Sequence, residues 1–164
     1  MNANTDNSKH LLLSEILRGE DVVGLAARYR RLNFSQRSSV NGEVIDLFAS
    51  YVDGLKTTGD VTNKPIGRDA SYNILLFIEQ IADSGILLNL RFRDRIGKLA
   101  RYVALWAGQQ KPGYRPHQVV SLVLRIGFAA DVHEVWAVAE RLLTHQDLGL
   151  LVIEAMSKKW QAEQ

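Results

Sequence analysis

The stretch RFRDRIGKLARY, residues 91–102, packs five basic residues and a single acid into twelve positions. Its reading decides the fold. Laid out at 100° per residue, and extended a turn either way, it sorts into two faces. Leu88, Phe92, Ile96, Leu99, Val103 and Trp106 fall on one side and read as core. Arg91, Arg95, Lys98 and Tyr102 line a second face, with Arg101 to one side. An amphipathic helix over about Leu87 to Ala107 is predicted.

The same period extends outward in both directions. Helices are predicted over about Lys9–Leu17, closed by Gly19, then Asp21–Leu32, and then Gln36–Leu55 with Ser35 as cap. A fourth is predicted over Asp69–Asp83 with Gly85 as its stop. Beyond the central helix, one follows Pro116 and ends near Gly127, one runs from an Asp131 cap to Thr144, and one runs from Asp147 to Lys159. The only prolines, Pro65, Pro112 and Pro116, sit in two polar stretches, residues 56–68 and 108–116, which read as loops. No strand alternation lasts more than a few residues. The expectation is an all-α protein, a single-domain bundle or short array of about eight helices spanning 9–164, behind a flexible N-terminal arm at 1–8.

A chain of 164 residues with 46% hydrophobic and 23% charged content can bury a core unaided. The absence of cysteine removes disulfides and thiol chemistry, and it suits a reducing compartment. The polar opening MNANTDNSKH has no apolar run of the secretory kind, and no apolar run approaches the ~20 residues of a membrane span. A cytoplasmic protein is expected.

Net charge is only +2, but it is unevenly spread. Between Ile86 and Arg115 seven basic residues face one acid, Asp94, so this segment holds +6 and the remainder −4. Arg91 and Arg95 are a like-charged i,i+4 pair, which costs an isolated helix a few tenths of a kcal/mol. An acidic partner would offset that cost. Nucleic-acid backbone fits, with Arg91, Arg95, Lys98 and Arg101 on phosphates and Tyr102 against an unpaired base. A second cluster, Arg28, Arg30, Arg31 and Arg37, would extend the track if it adjoins. Two readings compete. A third-helix face of Glu43, Asp46, Ser50 and Asp53 could answer the stripe internally, and an acidic protein surface could answer it externally. A helix-turn-helix reading of residues 21–48 places Arg37, Ser38 and Asn41 outward.

Nothing points to catalysis. His10, His117, His133 and His145 form no i,i+4 pair, so no metal is expected. GLKTTGD at 54–60 spaces its glycines like a phosphate loop, but Asp60 and Val61 stand where Lys and Ser or Thr are needed. No nucleophile elbow occurs. The expected function is therefore a non-enzymatic, cofactor-free binding subunit docking on nucleic-acid backbone without base-specific readout, within a larger assembly. The alternative is a cytosolic adaptor or chaperone-like protein. It would act through the two helices that are apolar almost all round, near 69–83 and 147–160, and these could also bury a second copy.

Overall fold

A computed structural model describes residues 12–58, 70–109, 116–146 and 148–163. The expected N-terminal arm and most of both proline loops lie outside the described residues, as does the side chain of Trp106. The described chain is all-α, and no strand occurs in it. Its helices are α1 (12–18), α2 (Val22–Arg31), α3 (Phe34–Thr58), α4 (Ala70–Gln80), α5 (Leu90–Gln109), α6 (Pro116–Ala129), α7 (His133–Leu142) and α8 (Gly149–Glu163). Two 3-10 turns, Ala82–Ser84 and Ile86–Leu88, join α4 to α5 around Gly85. That glycine takes φ +89°, a left-handed turn that only glycine makes without strain.

The buried side chains form one continuous core. α4 is at its centre: Ile74, Leu75, Phe77 and Ile78 are all buried, and the helix packs on α2, α3 and α6. Aromatic contacts mark the main joints. Tyr29 of α2 meets Phe77 of α4 edge-on with centroids 5.8 Å apart. Phe48 of α3 lies 5.3 Å from Phe92 of α5. Phe128 of α6 stacks on Trp136 of α7 at 4.1 Å. Each such pair adds roughly 0.5–1.5 kcal/mol beyond its area. The α5 stripe is as the periodicity predicts, with Phe92, Ile96, Leu99 and Val103 at 2% exposure or less.

Several local expectations are corrected. Leu88 is 76% exposed rather than core, because it belongs to a 3-10 turn and α5 starts only at Leu90. The cap of α5 is Asn89, whose side chain accepts from the Phe92 amide at 2.9 Å. The cap of α3 is Asn33, not Ser35. Asn33 Oδ1 accepts from the Gln36 amide at 2.8 Å, and Gln36 Oε1 accepts from the Asn33 amide at 3.0 Å. That reciprocal box satisfies two donors where Ser35 would satisfy one. Asp131 does not cap α7, since Val132 holds that place. Asp131 sits at φ +56° in the turn after α6, and its carboxylate accepts from Trp136 Nε1 at 2.9 Å.

Candidate nucleic-acid interface

On α5 the basic face lies against α3. Arg91 pairs with Asp46. The Arg95 guanidinium grips Asp53 with two bonds, Nε to Oδ1 at 3.1 Å and Nη2 to Oδ2 at 3.2 Å, and also reaches Asp94 at 2.7 Å. Lys98 pairs with Asp94 one turn back at 3.2 Å. Arg101 approaches Glu134 of α7 at 3.9 Å. Tyr102 is half-buried against the core. Burial alone would push the Asp94 carboxyl up, but the hydrogen bonds and charges of Lys98 and Arg95 outweigh it and hold the group below the ordinary aspartate range. The hydrogen bonds that Arg95 donates to Asp53 and Asp94 likewise shift its guanidinium upward. Two acids of the expected α3 face, Asp46 and Asp53, thus answer the stripe inside the chain. This accounts for a like-charged run that helix stability alone disfavours.

The second cluster is built differently. α2 ends where Leu32 turns extended, at ψ 152°, and the Asn33 cap starts α3 at once. Tyr29, buried at the end of α2, donates its hydroxyl to Asn41 Oδ1 of α3 at 2.7 Å and so fixes the corner. A groove of about 420 Å3 opens there, lined by Tyr29, Arg30, Phe34, Arg37, Ser38 and Asn41 and by Asp83 and Ser84 of the first 3-10 turn. Phe34 is 77% exposed. Arg37 Nη1 donates to the Leu32 carbonyl at 3.1 Å and more weakly to that of Arg30 at 3.5 Å. Arg30 donates to the Gln80 carbonyl at 2.7 Å and stands 3.7 Å from Asp83. Backbone carbonyls hold Arg37 in place without cancelling its charge, whereas Asp83 partly neutralises Arg30. Arg31 is exposed and forms no ion pair among the described residues, whereas Arg28 is paired with Glu15 of α1.

The two clusters do not merge into one track. Arg37 and Asp46 are nine positions apart on α3, which is half a turn out of phase at about 100° per residue. The groove and the α5 stripe therefore flank opposite sides of that helix. Arg37, Ser38 and Asn41, the outward set of the helix-turn-helix reading, do come together in the groove. Their helices, however, pack on other elements, α2 mainly on α4 and α3 mainly on α5, rather than on each other. Sequence reasoning missed Phe34. Placing Ser35 as the cap left Phe34 outside α3 with no face to belong to, and a large aromatic just after an Asn cap was the available signal.

Of the two helices expected to be apolar all round, α4 is enclosed. On α8, Val152 and Ala155 are buried, but Leu150, Ile153 and Trp160 remain on the surface. Among the described residues no group of three or more His, Asp or Glu could hold a metal, and no helix is long and apolar enough to cross a membrane. Compared with protein-family models, curated proteins and solved structures, the chain matches none.

Proposed function

We propose that this is a non-enzymatic binding protein for nucleic acid, engaging the backbone without base-specific readout through the groove between α2 and α3. The observation that supports the reading is the pairing there of two guanidinium groups, Arg30 and Arg37, with an aromatic ring left 77% exposed. A guanidinium has five donors, and Arg37 spends one nitrogen on backbone carbonyls, which leaves donors for phosphate oxygens. Phe34 offers a face on which an unpaired base stacks, worth roughly 1–3 kcal/mol. Ser38 and the Asn41 amide add neutral donors beside them. Arg31 extends the positive charge beyond the groove. Arg30, which shares Asp83, and Arg91, Arg95 and Lys98, which carboxylates already neutralise, take a lesser part than Arg37. With so few phosphate contacts, affinity is modest and falls with salt.

The test is a fluorescence-anisotropy titration of labelled single-stranded and duplex oligonucleotides at low and moderate salt. Wild type binds at low salt and prefers the single strand. Arg37→Glu weakens binding about tenfold or more, the order expected for a lost charge-assisted contact. Phe34→Ala removes the preference for the single strand. Absence of binding at low salt, or binding indifferent to Arg37→Glu, overturns the reading.

A further inference from the structure

α8 carries a feature that the nucleic-acid reading does not use. It packs on α6 and α7 through Leu148, Val152 and Ala155. Lys159 ties it down further by donating to the Phe128 carbonyl at 2.8 Å. The opposite side exposes Leu150 at 69%, Ile153 at 52% and Trp160 at 56%. These fall at i, i+3 and i+10, one strip about 15 Å long at 1.5 Å per residue. Three large exposed apolar side chains along one side are uncommon on a lone surface helix, where single exposed apolar residues are ordinary.

The flank of the strip points to what covers it. Glu154 and Lys158 lie on the same side of it, one turn apart. Among the described residues neither forms an ion pair, with the other or elsewhere, although neighbouring Lys159 pairs with Glu163 at 3.1 Å. When two identical helices pack antiparallel about a two-fold axis, like flanks meet, and a residue before the axis faces one after it. An axis beside Met156 sets Glu154 against the partner's Lys158, and the reverse. The same axis sets Ile153 against the partner's Trp160. Ser157, between Ile153 and Trp160 on the strip, is small enough to let the helices approach closely at the crossing. Charge order and apolar order thus specify the same register. This does not depend on the nucleic-acid reading, since the groove lies on α2 and α3.

We propose that α8 is a self-association surface, on which a second copy of the chain packs its own α8 antiparallel, with Ile153 on the partner's Trp160 and Glu154 on the partner's Lys158. A single helix from each side buries less than the ~1,200 Å2 of a standard stable interface. The dimer is therefore reversible and depends on concentration.

Sedimentation velocity over two decades of concentration tests this. Wild type shows a monomer–dimer equilibrium. Ile153→Asp abolishes it while leaving the circular dichroism melt in place, because the side chain is exposed in the monomer. Glu154→Lys and Lys158→Glu each bring like charges together twice about the axis, and each weakens the dimer severalfold. Mixing those two variants restores association, as a heterodimer in which every flank pair is opposite in sign. A strictly monomeric wild type overturns the proposal, as does a dimer whose single charge variants are not rescued on mixing. Recovery of the strip bound to a different protein while the chain itself stays monomeric overturns it too.

Discussion

Two buried glycines facing α7 show how much a single position is decided by its neighbour. Gly127 lies where α6 crosses α7, and a Cβ there would sit 2.5 Å from one Val135 methyl group and 2.6 Å from the other. Val135 is fully buried and β-branched, so it has little freedom to turn away. Gly97 on α5 looks equally crowded, but its obstacle is mainly the carboxyl end of Glu134, an exposed residue that can swing into solvent. Gly127→Ala is expected to cost about 1–3 kcal/mol through overpacking. Gly97→Ala is expected to be close to neutral, since up to ~1 kcal/mol of helix propensity offsets the adjustment. Urea denaturation midpoints of the two variants check this contrast.

At the scale of elements, the helix ends organise the site. α2 begins at Asp21, which takes φ +47° while its side chain accepts from the Gly24 amide at 3.2 Å. The left-handed backbone and the cap are separate demands, and Asp and Asn are residues that meet both. Asp21→Asn is expected to keep stability near wild type, Asp21→Gly to lose a few tenths of a kcal/mol, and Asp21→Ala to lose about 1–2 kcal/mol. Thermal melts rank the three, and an alanine variant no worse than glycine contradicts the account. The other end of α2 shapes the groove. Its carbonyls hold Arg37, and the immediate Asn33 cap leaves too little chain for the corner to close over. The groove is a consequence of two helices joined by two residues.

Across the whole molecule, the distribution of charge is reorganised by folding. Among the described residues, the basic run of α5 does not become an unpaired basic surface, because Asp46 and Asp53 of α3 are laid along Arg91 and Arg95. Removing those acids restores the stripe. The double variant Asp46→Asn/Asp53→Asn is expected to bind oligonucleotides more tightly than wild type at low salt, with a steeper dependence on salt concentration. Its stability cost should be about 1 kcal/mol or less for the exposed Asp46–Arg91 pair and somewhat more for the part-buried Asp53–Arg95 pair. The anisotropy titration measures the first effect and a thermal melt the second. Unchanged affinity would mean that the stripe is not held back by its internal partners.

By itself the sequence determined the helical class and, most clearly for α5, the inward face of an amphipathic helix. Phe92, Ile96, Leu99 and Val103 were legible as core because helical periodicity is local, set by the backbone within a few residues. Gly19 was legible as a stop for the same reason, whereas α4 ends earlier than expected, at Gln80, and Gly85 closes the 3-10 turn beyond it. Competing caps one or two residues apart were not, since Asn33 displaces Ser35 only through its reciprocal bond with Gln36. Tertiary structure alone decided the rest. Asp53 and Arg95 are 42 positions apart in the chain, and only the packing of α3 on α5 brings them together. α4 and α8 are similarly apolar in sequence, yet the order of packing encloses one and leaves the other with Leu150, Ile153 and Trp160 outside. Whether an arginine is a site or half of an ion pair depends on what lies within about 4 Å of it, and that distance is set by the fold.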